Sequence, residues 1–205
     1  MTHMPHETPF SIPKLVLASG SIYRRQLLNR LEIVYDYHAP NIDETPLVDE
    51  SPKQLVLRLA LAKAQAVAVG YPGALIIGSD QVAVLAGKII TKPDSHLRAK
   101  AQLQRASGQQ VIFLTSLCLL NTVNYNHQLQ IVPYKVNFLP LTDNQIEHYL
   151  QKEKPYDCAG SFKAEGLGIT LCSNFEGEDP NALIGLPLIA LIKMLRHEGL
   201  DPLLL

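Results

Sequence analysis

Hydrophobic and polar positions follow two rhythms along this chain: short apolar runs of strand type, and longer stretches in which apolar residues recur with helical period. Lys14-Leu-Val-Leu-Ala-Ser19 is a buried-strand run. Gly20-Ser21 follows at once, then a helical pattern through Leu31 with Leu27, Leu28 and Leu31 on one face. Residues 33–38 (IVYDYH) read as a second strand closed by Pro40, and 41–46 (NIDETP) as a polar loop. Ser51-Pro52 opens the clearest helix, with serine as N-cap and proline in the first helical position. Leu55, Leu59, Ala62 and Ala66 form its predicted apolar face, and Gly70 ends it. Residues 74–78 (ALIIG) predict a buried strand that delivers Ser79-Asp80-Gln81 at its end; 82–85 and 88–90 predict a hairpin across Ala86-Gly87. A basic amphipathic helix is expected over 95–108 and two long strands over 111–121 and 128–138. Pro133 interrupts the second of these, which requires an edge position or a bulge. Thr142 and Gln145 are a capping box for a helix to about Lys152. Residues 157–178, with four glycines, read as a loop-dominated segment, and 187–197 as the last helix before Gly199. Strands and helices interleave, but the hairpins call for a mixed sheet.

Composition narrows this picture. The chain has 205 residues, enough for one domain or two small lobes around a cleft, with 1–13 expected as an N-terminal extension and 14–205 as a single domain. With 47% hydrophobic and 18% charged residues it is not a disordered chain. Lys and Arg number 18 against 19 Asp and Glu, so the net charge of −1 gives no global attraction to nucleic acid or an acidic membrane. The three cysteines, Cys118, Cys158 and Cys172, have no CxxC spacing and read as reduced thiols. Neither the polar N-terminal residues nor the apolar stretches at 111–120 and 182–195 reach the ~18 uninterrupted apolar residues of a membrane span. A cytoplasmic location follows as the expectation.

Two groups of residues carry candidate chemistry. In Leu17-Ala-Ser-Gly-Ser-Ile-Tyr-Arg-Arg25 a strand runs into a small-residue turn and then a helix start bearing two arginines. Free backbone N–H groups, the positive end of the helix dipole and a guanidinium converge there, an arrangement suited to phosphate. No GxxxxGK[ST] is present, so this is not a P-loop. The second group is Asp43-Glu44 in the polar loop, Lys63 on the Ser51 helix, Asp80 at a predicted strand end, and Lys92 in Thr91-Lys92-Pro93. Lys63 sits between alanines on a largely apolar helix, so its ammonium must snorkel or meet an anion. Carboxylates with lysines are what a Mg²⁺–polyphosphate requires: hard oxygens for the metal and cations for the remaining phosphate charge. Glu44 and Asp80 are the candidate metal ligands. Sequence leaves open whether Asp80 deprotonates a water directly or holds the metal.

LASGSIYRRQLL, the DETP loop, the lysine of LALAKAQA, GSDQV, TKP, CAGSFKAEGLG and GLPL together resemble the Maf family of nucleotide pyrophosphatases, from Lys14 to about Gly199. The resemblance implies an elongated α/β fold like that of inosine triphosphate pyrophosphatases, with a mixed central sheet flanked by helices and two lobes around a deep cleft. It also implies hydrolysis of a nucleoside triphosphate to the monophosphate and pyrophosphate, assisted by a divalent cation such as Mg²⁺ or Mn²⁺. By motif, Asp80 matches the proton acceptor for the attacking water. Ser19 and Arg24 match the phosphate-binding loop, and Glu44, Lys63 and Lys92 the cleft's charged residues. One position departs: the family usually has proline where this chain has Ile22.

Tyr23, Gln81 and Glu165 bear on which base is read. The branch acting on dTTP and UTP typically has arginine and threonine at the first two positions; the set here resembles the branch that hydrolyses 7-methyl-GTP. A methylated guanine is cationic, so an aromatic face attracts it, and a carboxylate can accept from its N1–H and 2-amino group together. Pyrimidine or other non-canonical nucleotides are the alternative substrates. A nucleotide-sensing, division-regulating binding protein is the alternative class, against which the complete hydrolytic set counts. Nucleic acid and membrane partners are not expected, and a homodimer is left open. His38, His96, His127 and His148 lack metal-ligand spacing, Cys158 reads as a structural thiol, and residues 200–205 are an exposed apolar tail.

Overall fold

A computed structural model describes residues 13–205; all but the last residue of the expected N-terminal extension lies outside them. The core of the fold is a single mixed sheet of seven strands: β1 (Lys14–Leu17), β2 (Tyr35–Tyr37), β3 (Ala74–Leu85), β4 (Lys88–Ile90), β5 (Gln110–Asn121), β6 (His127–Phe138) and β7 (Cys172–Glu176). The order is β2-β1-β3-β5-β6-β7. β1 is parallel to β2 and β3, and the remaining pairs are antiparallel. Among the described residues six α-helices accompany it: α1 (Ile22–Asn29), α2 (Pro52–Ala68), α3 (His96–Ala106), α4 (Asp143–Glu153), α5 (Pro180–Ile184) and α6 (Leu188–His197). Ser51 and Thr142 cap α2 and α4 with complete capping boxes, as their sequences require.

β3 corrects the expected strand boundaries. It does not stop at Gly78 but runs unbroken through Ser79, Asp80 and Gln81 to Leu85, paired with β5 along the way. The polar triplet stays in the strand because its side chains find distant partners. Asp80 is therefore mid-strand, not at a strand end. Its local setting is nonetheless a rim: on the edge away from β5, β1 pairs with β3 only from Ala74 to Ile77 and β4 only from Ala83 to Leu85. Residues 78–82 face a gap in the sheet, and a cleft opens there.

Side-chain alternation sorts the interior. Ile76, Val82 and Val84 face α2, which covers one side of both halves of β3. On the other side Leu75 and Ile77 pack with α1, α5 and α6, while Ala83 and Leu85 pack with α3 and α4. Between these two clusters the same face carries Ser79, Gln81 and Thr115.

Further differences have local causes. The buried face of α2 is Leu55/Val56, Leu59/Ala60, Lys63/Ala64 and Val67/Ala68; Ala66 is exposed and Ala62 only partly covered. The real stripe thus includes a lysine that an apolar criterion passes over. β2 is shorter than expected, three residues on the sheet edge. β7 (CSNFE) lies in the glycine-rich segment and pairs only with residues 135–138 of β6. Pro133 consequently sits on an unpaired edge of β6, which its missing N–H tolerates. Among the described residues, no helix is long and apolar enough to cross a membrane.

Candidate active site

Lys63 is the centre of the site. It belongs to the buried face of α2, opposite the gap in the sheet, and its Nζ donates to Asp80 Oδ1 at 2.7 Å and meets Glu44 Oε1 at 2.9 Å. The ammonium and the Asp80 carboxylate are almost wholly covered, whereas Glu44 is half exposed. Two features bring α2 this close. Gly78 faces the helix, and a Cβ there would overlap the Ala60 carbonyl. Ser116, beside Asp80 on β5, donates from Oγ to Val56 O at 2.5 Å and accepts from Asp80 N at 3.3 Å, tying strand to helix.

Glu44 reaches the lysine from the 41–50 loop, which is braced from below. Arg58 of α2 grips Glu50 with two hydrogen bonds, at 2.6 and 2.8 Å, and donates to Thr45 O at 3.1 Å. The guanidinium holds the Glu50 carboxyl down at about 2. Nothing local in the sequence announces this brace; only the eight-residue separation across a helix start hints at it.

The Ser19–Arg24 turn lines the same cleft. Ser19 Oγ accepts from Ser21 N at 3.1 Å and from Arg24 Nη1 at 3.3 Å, and Ser21 caps α1. Arg24 Nε donates to Gly185 O at 2.8 Å, a carbonyl that also accepts from Ser79 Oγ at 2.9 Å. Gly185 has φ +124, a conformation glycine supplies freely at the end of α5. Burial pulls the Arg24 pKa below its ordinary value, and the Asp80 and Glu44 carboxylates oppose that shift. Lys92 is exposed on the cleft wall, past the end of β4.

Tyr23 is on the next wall of the same cleft, with Asp157, Cys158 and Glu165. Burial, with Cys158 and Asp157 adding to it, pushes the Tyr23 hydroxyl up to about 12. Lys163 Nζ stands 6.0 Å above the Tyr23 ring and pairs with Glu153 at 2.9 Å. Glu165 is exposed. Gln81 faces α5: its Nε2 donates to Thr115 Oγ1 and Ala182 O at 2.8 Å and to Leu183 O at 3.1 Å. Its amide nitrogen is fully used inside the protein, and only its oxygen is left for a ligand. Ser19, Tyr23, Arg24, Glu44, Lys63, Asp80, Gln81, Lys92 and Glu165 line one cleft of ≈ 690 Å³, whereas Asp43 is not part of its lining. It has a charged end (Ser19, Arg24, Glu44, Lys63, Asp80) and an aromatic, acidic end (Tyr23, Asp157, Glu165), with Lys92 elsewhere on its lining.

The donor set fits a hard divalent cation. Two carboxylates converge on one ammonium, and Mg²⁺-type ions take one or two protein carboxylates, completing their shell with phosphate oxygens and water. No cluster of three or more His, Cys, Asp or Glu side chains exists among the described residues, so the protein alone is not a closed metal cage.

Residues 14–198 match the Maf-like protein family. The chain is 55% identical over 188 residues to the 7-methyl-GTP pyrophosphatase of Nitrosospira multiformis, covering 92% of this chain and 95% of that protein. It is 52% identical over 197 residues to the 7-methyl-GTP pyrophosphatase of Nitrosococcus oceani, covering 96% and 98%. A HAM1 protein from Coxiella burnetii superposes with a TM-score of 0.43 at 16% identity, over 62% of this chain and 73% of that one.

Proposed function

The chain belongs to the Maf-like family, and from that membership and the cleft we propose that it hydrolyses 7-methyl-GTP to 7-methyl-GMP and pyrophosphate. The observation that carries the reading is the Asp80–Lys63–Glu44 contact, set at the gap in the sheet and facing the Ser19–Arg24 turn. Asp80 accepts the proton of the attacking water as its oxygen bonds to the α-phosphorus. The bond from that phosphorus to the oxygen bridging to the β-phosphate breaks, and pyrophosphate leaves. Lys63 holds Asp80 Oδ1, which leaves Oδ2 with no protein hydrogen bond among the described residues. Lys63, Arg24 and Lys92 offset the charge on the phosphate oxygens, and the Ser19 turn orients them. Glu44 and Asp80 would hold a divalent cation such as Mg²⁺ or Mn²⁺, which would supply further charge neutralisation there.

At the other end Tyr23 offers its face to the cationic base, and Glu165 accepts from N1–H and the 2-amino group. Gln81 contributes its free oxygen to the same wall. The substrate is a free nucleotide of the cytoplasm, where Cys118, Cys158 and Cys172, all unpaired in the structure, stay reduced. The test is pyrophosphate release from 7-methyl-GTP, GTP, dTTP and UTP by purified protein with Mg²⁺ or Mn²⁺. 7-Methyl-GTP should be the best substrate. Preference for dTTP or UTP overturns the base assignment, and tight nucleotide binding with no product overturns hydrolysis.

A further inference from the structure

One carboxylate near the aromatic end of the cleft has no part in the reaction as drawn. Glu153 ends α4, and its side chain is only 11% exposed. Its Oε2 accepts from Leu167 N at 2.7 Å, and its Oε1 meets Lys163 Nζ at 2.9 Å. These contacts fall on either side of Glu165 in the chain. Gly166 makes room for them: a Cβ there would overlap the Glu153 carboxylate.

Lys163 lies within the influence of two carboxylates, Glu153 and Glu165, and of the Tyr23 ring. Its pairing with Glu153 leaves Glu165 without an ion pair among the described residues. We propose that Glu153 is a positioning residue for base recognition: it fixes the 163–167 turn on both sides of Glu165 and cancels the Lys163 charge beside Tyr23, so that Glu165 is free to accept from the base. The inference rests on the 7-methyl-GTP reading. Without the Glu153 charge, Lys163 turns to Glu165 and occupies the acceptor that the base requires. It also leaves an uncompensated cation beside the ring on which a cationic base must stack, and like charges at that range repel.

The test is the ratio of kcat/KM for 7-methyl-GTP over GTP. Glu153→Gln keeps an acceptor for the Leu167 N–H and removes only the charge. It should raise KM for 7-methyl-GTP by about tenfold, change kcat by less than about twofold, and lower the ratio. Gly166→Ala keeps both charges but displaces the carboxylate, and should lower the ratio likewise. Adding Lys163→Met to Glu153→Gln should restore it, which a collapsed loop would not do. An unchanged ratio in Glu153→Gln, or no restoration in the double variant, overturns the proposal. A wild-type protein with no preference for 7-methyl-GTP overturns the substrate reading instead, so the two failures are distinguishable.

Discussion

Asp80 sits in a position where a carboxylate is expensive to bury and is retained because Lys63 answers it at 2.7 Å. Replacing it by Asn keeps an oxygen for the lysine, and Glu44 remains as the ammonium's charged partner at 2.9 Å. Asp80→Asn should therefore fold and bind nucleotide, but kcat should drop by about 10²–10⁴, the range for loss of a general base. Stopped assays with equal nucleotide affinity would establish the role; undiminished turnover removes it. Cys158 illustrates the opposite case, a group near the site kept chemically silent. Burial, with Asp157 beside it, pushes its thiol up to about 12, and burial does the same to Cys118 and Cys172. The raised value keeps the protonated form dominant far above neutrality. Alkylation by iodoacetamide at pH 8.5 should be more than about tenfold slower in the folded protein than in urea, and should climb as pH rises toward 12. Fast labelling of Cys158 in the native protein would contradict this.

Elements in this fold are placed by contacts that differ in how visible they are in sequence. α2 and α4 are legible from their caps, α2 from the Ser51-Pro52 start and α4 from its capping box, because each signal is closed within four residues. β7 is not, since CSNFE has little strand character of its own and is held by pairing with β6. Within α2 the expected apolar stripe holds at Leu55 and Leu59 and slips by one position at Ala62 and Ala66, because Lys63 occupies a buried place that periodicity assigns to a hydrophobe. The residues that line the cleft are legible from their motifs; the seating of α2 on β3 is not, because it depends on an absent side chain at Gly78. Gly78→Ala should lower stability by about 1–3 kcal/mol through overpacking against Ala60, with kcat reduced as Lys63 is pushed from Asp80. A wild-type melting temperature with wild-type kcat would show that the helix does not depend on that approach. At α1 the outcome has the other sign. Ser21 has ψ 123, which suits a residue before proline, and Ile22 is 53% exposed in the first helical position. Ile22→Pro should stabilise by about 0.4–1 kcal/mol, read as a raised denaturation midpoint, because proline narrows the unfolded ensemble.

Across the whole molecule, a band of polar side chains divides an otherwise apolar sheet. Ser79, Gln81 and Thr115 cross one face at the level where Asp80 and Ser116 cross the other, and all but the partly covered Gln81 are buried. Burial of this kind is tolerable only when every group is paired, and the pairs here run to segments far along the chain. Thr115 Oγ1 donates to Ala182 O at 2.7 Å, and Gln81 adds donors to Ala182 O and Leu183 O. The band therefore fastens α5 to the sheet, and α5 ends in the Gly185 carbonyl that anchors Arg24. Net charge says nothing of this arrangement: a chain of charge −1 has no long-range pull on a triphosphate, so the attraction must come from cations gathered at one gap. Gln81→Leu tests the connection. It removes the Gln81 donors from two carbonyls of α5, which should cost about 1–3 kcal/mol of stability where a carbonyl is left unpaired. As α5 loosens, Gly185 shifts and Arg24 loses its anchor, so KM should rise for every nucleotide, purine or pyrimidine. Thr115→Val should produce the same pattern more weakly, since Gln81 still reaches Ala182 O at 2.8 Å. If Gln81→Leu instead leaves the melting temperature alone and changes only the 7-methyl-GTP to GTP ratio, then Gln81 reads the base without bracing the phosphate end, and the two ends of the cleft are energetically separate.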